Sequence, residues 1–237
     1  MLHLHLKECD STQLYLKENF KDLFLKDSYV LISTDKQLKG IGRNGNRWDD
    51  YPNALTFSFL LKPTINVITI PLAAGIILCQ YIKEQWGADL NLKWPNDLIN
   101  CHCQKCGGII CQYIDHESII CGIGLNLGYS KKLSGEQNYK TPAGVIKANV
   151  KLSSQDRKII PRNIYDYFLS YDFSNLNIKK DFEKTCSHLN KQVSITDTNK
   201  EWIGIFQGIT DNGEALLKSS DSKINTFISG SLNVLEK

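Results

Sequence analysis

The sequence predicts an α+β protein, with a larger domain of mixed strands and helices followed by a small β-barrel. Three observations carry that reading. Up to about residue 189, runs with strand character alternate with segments of helical length. Beyond Asn190 the texture changes to short strand-like runs divided by turn residues. No stretch approaches the unbroken apolar length of a membrane span. At 237 residues the chain can hold a medium domain plus a small one, and we place them at 1–189 and 190–237.

The elements follow in order. Leu2, Leu4 and Leu6 alternate with His3, His5 and Lys7, the pattern of a half-buried strand ending near Cys9. Asp10 and Ser11 are placed to cap a helix carrying Leu14, Tyr15 and Leu16. Tyr29 to Ser33 reads as a short buried strand. Asp35 to Asn53 is polar and glycine-rich, and reads as a long loop of the functional or disordered kind. Ala54 to Leu61 returns to strand character. Ile68 to Trp86 has helical length, with Pro71 tolerable only in the first turn.

Four strands are expected next: Asn91 to Trp94, Asp97 to Asn100, Gly108 to Ile114 and Ser118 to Leu127. Gly87 and Pro95 supply breaks, and Asp115 to Ser118 a turn. Helical pieces follow around Asn163 to Leu169 and Lys179 to Leu189. The small barrel is built from Val193 to Thr196, Trp202 to Ile209, Ala215 to Leu217 and Ile224 to Ile228, with a turn at Asp211-Asn212-Gly213.

Composition narrows the function. A net charge of +3, with no lysine–arginine block, argues against nucleic acid as a partner. The amino terminus lacks the charged start and apolar centre of a signal peptide, so a cytoplasmic location without membrane attachment is expected. The eight cysteines then read as reduced thiols. Cys101, Cys103, Cys106 and Cys111 cluster around His102. Paired C-x-x-C knuckles are missing, and Cys106 and Cys111 fall on a strand, so structural or incidental thiols are favoured over zinc.

The strongest local signal is Gly40-Ile41-Gly42-Arg43-Asn44-Gly45-Asn46-Arg47-Trp48. Glycines at this density let backbone amides approach an anion, and the arginines add positive charge. The run matches G-x-G-x-x-G, yet Trp48 to Pro52 blocks the helix that a dinucleotide fold requires, and Lys62 to Asn66 holds no acid. Taken alone the motif fits a flexible loop that happens to be rich in glycine as well as it fits an anion-binding one. Lys93-Trp94-Pro95-Asn96-Asp97 and Lys105-Cys106-Gly107-Gly108-Ile109 add two lysine-bearing turns to the same domain.

In this order and at these separations, the three motifs resemble the catalytic domain of biotin–protein ligases. That family shows a glycine–arginine loop ending in tryptophan, then Lys-Trp-Pro-Asn-Asp, then Lys-x-x-Gly-Ile. Asp10-Ser11-Thr12-Gln13 is similar to its Asp-Ser-Thr-Asn, and Gly122-Ile123-Gly124-Leu125-Asn126 to its Gly-Ile-Gly-Ile-Asn strand. The resemblance covers nearly the whole chain. It implies a mixed sheet flanked by helices, of the class II aminoacyl-tRNA synthetase-like type, with a carboxy-terminal SH3-like barrel. It also implies the monofunctional form, without an amino-terminal DNA-binding domain.

The resemblance implies an enzyme that activates biotin with ATP and Mg²⁺ and transfers it to a lysine of a biotin carboxyl carrier protein, that of acetyl-CoA carboxylase or a related carboxylase. A homodimer is left open. Ser11, Thr12, Gln13 and Gln37 would face the biotin ureido ring. Gly40, Ile41, Gly42 and Arg43 would wrap the carboxylate and nucleotide phosphate, with Gly108 lining the biotin site. Lys105 would hold the activated carboxylate, Trp48 would cover the nucleotide, and Asn126 would lie near the adenine. Asn96 and Asp97 would serve the reaction centre, Asn96 as part of the ATP site and Asp97 as base or orienter for the incoming lysine. The metal would arrive with ATP, not on a resident protein site.

Three positions depart from the family's pattern. Ile41 and Asn46 occupy positions where the family carries arginine, and Gln13 is one methylene longer than asparagine. Two rival readings follow: a lipoate–protein ligase-like enzyme, and a degenerate, non-catalytic module that binds biotin.

Overall fold

A computed structural model describes residues 1–49, 51–62, 65–114, 118–128, 141–147, 150–198 and 200–235. The turn expected at Asp115 to Ser118 lies, for residues 115–117, outside them. In chain order the elements are β1 (Leu2–Leu6), α1 (Thr12–Glu18), α2 (Phe20–Phe24), β2 (Val30–Thr34), β3 (Gly40–Ile41), β4 (Arg47–Trp48) and β5 (Ala54–Leu61). Then come α3 (Ile70–Trp86), β6 (Asn91–Lys93), β7 (Asp97–Ile99), β8 (Lys105–Tyr113) and β9 (Ile119–Asn126). The last are α4 (Asp156–Ser170), α5 (Ile178–Thr185), β10 (Gln192–Asp197), β11 (Lys200–Ile209), β12 (Ala215–Lys218), β13 (Ile224–Phe227) and β14 (Ser231–Val234).

The chain forms two compact units. One comprises Met1–Pro63, Cys106–Gln137 and Ala143–Tyr171; the other comprises Thr64–Lys105, Asn138–Pro142 and Asp172–Lys237.

In the first unit the strands run in the order β1-β2-β5-β9-β8. The β1–β2 pair is parallel and the other pairs are antiparallel, so the sheet is mixed. Every residue of β5 and β9 is buried, because both faces of the sheet are covered. On one face Leu16 and Leu23, from α1 and α2, pack with Ile32, Leu60 and Ile120. On the other, the Phe59 ring lies 4.6 Å from Tyr165 and 5.2 Å from Phe168 of α4. Each such buried apolar side chain contributes about 1.5–3 kcal/mol.

Helix α4 is longer than expected. It begins at Asp156 and runs through Pro161. Just before it, Ser153 N donates to Asp156 Oδ2 over 2.9 Å while Asp156 N donates to Ser153 Oγ over 3.1 Å. This reciprocal pair is a capping-box signature, legible in the sequence as Ser-x-x-Asp.

In the second unit α3 starts with Pro71 in its first turn and closes on Gly87 at φ 64°, both as expected. It packs against α5, β6 and β7. Trp94 is buried and donates Nε1–H to the Gly213 carbonyl over 3.1 Å. The carboxy-terminal strands form an antiparallel sheet in the order β13-β12-β11-β10-β14, consistent with an SH3-like domain. Strand β14 was not among the expected strands, although its Ser-Leu-Asn-Val alternation buries Leu232.

Candidate active site

Ser11, Thr12, Gln13 and Gln37, candidates of the first unit, gather where α1 begins above the sheet. Ser11 occupies the N-cap position without a side-chain cap bond. The start of the helix is satisfied instead from Gln37, whose Oε1 accepts from Thr12 N over 2.8 Å and from Thr12 Oγ1 over 3.2 Å. Thr12 Oγ1 also lies 2.9 Å from Ser58 Oγ, tying α1 to β5. A neutral amide oxygen is a suitable cap for helix donors that would otherwise be orphaned.

Gln13 donates Nε2–H to the Ile120 carbonyl over 3.3 Å. Its Oε1 lies against Gly122, where a Cβ would approach to 2.5 Å. A Cβ at Gly124 would likewise come within 2.5 Å of the Trp48 ring. With a strand period of two, Gly122 and Gly124 share one face. Opposite them on β5 stand Ser58 and Thr56, and opposite Gly124 on β8 stands Gly108. The result is a glycine-floored strip between polar side chains.

That strip holds buried polar atoms with no hydrogen-bond partner among the described residues: Gln13 Oε1, Thr56 Oγ1 and, at the end of β9, Asn126 Oδ1. An unsatisfied buried oxygen costs about 1–3 kcal/mol unless something pairs with it. Three in one place mark a surface built to receive a polar ligand.

The loop from Asp35 to Asn53 has more structure than the sequence suggested. Strands β3 and β4 pair Gly40 with Trp48 and Ile41 with Arg47. Between them, a 3₁₀ turn over Arg43–Gly45 is closed by Gly42 N donating to Asn46 O over 2.7 Å. Gly45 sits at φ 74°, where only glycine is unstrained. Lys39, Gly40, Ile41, Gly45, Asn46 and Arg47 line a cavity of about 180 Å³ beside this hairpin.

In the second unit the β6–β7 hairpin sets Lys93 opposite Asp97. The Asp97 carboxylate bridges two ammonium groups: Lys105 Nζ at 2.6 Å from Oδ1 and Lys93 Nζ at 3.5 Å from Oδ2. Lys93 also donates to Thr141 Oγ1 over 2.8 Å. Burial pushes the Lys93 ammonium below the usual lysine range, although Asp97 opposes that shift. Asn96 lies in the tight turn of this hairpin, after the cis peptide between Trp94 and Pro95.

Thus Ser11, Thr12, Gln13, Gln37, Gly40, Trp48, Gly108 and Asn126 share the first unit with Ile41, Gly42 and Arg43 of the hairpin. Asn96, Asp97 and Lys105 share the second. Sequence reasoning passed over Thr56 and Ser58, and it quoted Lys93 within its motif without giving it a role. The Gly122-x-Gly124 and Thr56-x-Ser58 spacings were the available signal, since a period of two sets each pair on one face. Of the clustered cysteines, Cys101 and Cys103 are exposed and Cys106 is buried. Among the described residues, no three His, Cys, Asp or Glu side chains converge as a metal-binding group.

The profile of the Biotin/lipoate A/B protein ligase family matches residues 6–126, more than half of the chain. The chain belongs to that family. The Biotin protein ligase C terminal domain matches residues 188–231. Biotin–protein ligase 2 of Arabidopsis thaliana is 24% identical over 231 residues, covering 90% of this chain and 68% of its own length. The bifunctional ligase/repressor BirA of Bacillus subtilis is 33% identical over 106 residues, which are 41% of this chain and 32% of that protein. A biotin protein ligase from Aquifex aeolicus, solved in complex with biotin and ATP, superposes with a TM-score of 0.78 at 25% identity. That match covers 98% of this chain and 99% of the Aquifex chain. This ligase is therefore an enzyme of the ATP-dependent, bond-forming class. Among its described residues, no helix is long and apolar enough to cross a membrane.

Proposed function

We propose that this ligase joins biotin to ATP as biotinyl-5′-AMP and then passes biotin to a lysine of a biotin carboxyl carrier protein. The observation carrying the choice of acid is the set of buried oxygens beside Gly122 and Gly124 that have no partner among the described residues. Biotin has a cyclic urea that can satisfy such atoms. The dithiolane ring of lipoate has no comparable donors, and would leave them buried and unpaired at about 1–3 kcal/mol each.

In this reading the biotin carboxylate attacks the α-phosphorus of ATP and pyrophosphate leaves. Negative charge gathers on phosphorus, and Arg43, Lys105 and the backbone amides around Gly42 stabilise it. Mg²⁺ enters with ATP as part of the substrate and neutralises phosphate charge. Trp48 supplies apolar cover over the glycine strip, and Asn96 and Asn126 serve the nucleotide. A carrier lysine then attacks the mixed anhydride and AMP leaves.

The two-domain division we assign keeps catalysis in 1–189 and gives 190–237 an accessory role. The deciding experiment is ATP–pyrophosphate exchange with biotin or lipoate as the only acid, followed by mass analysis of a carrier domain. Exchange with biotin and a biotinylated carrier are expected. Exchange with lipoate alone would reassign the acid.

A further inference from the structure

Thr56 has no role in the sequence motifs, yet its setting is unusual for a threonine in the middle of a strand. It is 3% exposed, and its hydroxyl oxygen is buried without a partner among the described residues. It stands directly opposite Gly124, against which the Trp48 indole lies. Two residues along the same face stands Ser58, opposite Gly122, and there Gln13 Oε1 is also buried and unpaired. Thr56 Oγ1 beside Gly124 and Gln13 Oε1 beside Gly122, two unpaired acceptors above a floor without side chains, suit a cyclic urea whose two N–H groups point in divergent directions.

Resting on the biotin reading given above, we infer that Thr56 is a specificity-determining residue, its hydroxyl accepting one ureido N–H while Gln13 Oε1 accepts the other. A purely packing role would be served equally by valine, which has the same shape. Ser58, the other hydroxyl on this face, is already paired with Thr12, whereas the Thr56 hydroxyl is explained by a ligand that pairs with it. Removing it takes away a hydrogen bond from the complex and an unsatisfied group from the free protein.

The test compares Thr56→Val and Thr56→Ser with the wild type in calorimetric binding of biotin and of desthiobiotin, which keeps the cyclic urea but lacks the ring sulfur. Thr56→Val is expected to bind both about 2- to 12-fold more weakly, the range for one neutral hydrogen bond, and Thr56→Ser to recover most of that loss. The ligand-free Thr56→Val protein is expected to melt no lower than the wild type, a result that a merely structural hydroxyl would not give. Unchanged affinity in Thr56→Val, or a weaker affinity accompanied by a lower ligand-free melting temperature, overturns the inference alone. A wild-type protein that binds no biotin overturns the underlying functional reading, and this inference with it.

Discussion

Asp97 and Lys105 form an ion pair of 2.6 Å in which the carboxylate is only 14% exposed. The second oxygen of that carboxylate faces Lys93, itself buried. Breaking one partner of a buried pair leaves uncompensated charge, which is costly. The geometry therefore gives Asp97 a positioning duty towards Lys105.

Asp97→Asn is accordingly expected to slow adenylate formation as well as transfer, each by roughly tenfold or more, since one charge-assisted contact is worth about 1.5–3 kcal/mol. Pyrophosphate exchange and single-turnover transfer from preformed biotinyl-AMP separate the two steps. A loss confined to transfer would return to Asp97 the task of accepting the proton of the carrier lysine.

Gly122→Ala should weaken biotin binding more than it harms the fold. Its Cβ would stand 2.5 Å from Gln13 Oε1 and 2.9 Å from Ile110 Cγ2, inside the ligand floor. Overpacking of this kind costs about 1–3 kcal/mol. We expect the biotin dissociation constant to rise by about fivefold or more, with a melting temperature lowered by only a few degrees. Equal affinity in wild type and variant would mean that biotin does not lie on this strip.

Much of this arrangement was legible beforehand, and what was missed has a common cause. Strand β5 reads directly from its apolar run, and α3 from Pro71 at its start and Gly87 at its end. Those signals are local. The β3–β4 hairpin is not, because its two-residue strands depend on Trp48 lying beside Gly40, eight positions away. Thr56 looks like ordinary strand sequence until its register against Gly124 is known. The role of Lys93 likewise appears only once β6 and β7 place it across from Asp97.

Stability should fall on mild acidification. His188 is fully buried, and that burial, with Lys93 and Lys191 nearby, lowers its pKa to about 3. His3 is lowered to about 4, by burial first and then by His5. In the unfolded chain a histidine binds its proton near pH 6.5, so below that pH the unfolded state takes up more protons than the native one. Both contributions are therefore intact above about pH 7 and are lost progressively as pH falls from 6.5 towards 4 and 3. At pH 5 the His188 part amounts to about 2 kcal/mol. Urea midpoints at pH 7.5 and 5.0 should differ accordingly, and His188→Phe should flatten the difference. A wild-type midpoint independent of pH over this range contradicts the assignment.

The last expectation concerns Ile41 and Asn46. In the hairpin Ile41 lies opposite Arg47, and the Arg47 side chain is 71% exposed, with Nε 3.3 Å from Asp49. An exposed arginine already paired with a carboxylate is a weak substitute for one aimed at a phosphate, since the guanidinium fork works only where it is correctly placed. The adenylate should then be held less firmly than the family loop would hold it, by up to about 1.5–3 kcal/mol for each missing charge-assisted contact. Without a carrier protein, free biotinyl-AMP is expected to accumulate in solution beyond one equivalent of enzyme. Asn46→Arg should reduce that release while leaving biotin affinity unchanged. Rapid filtration of the reaction with labelled biotin measures both quantities. Release that is already negligible in the wild type would mean that other contacts retain the intermediate despite the two replaced arginines.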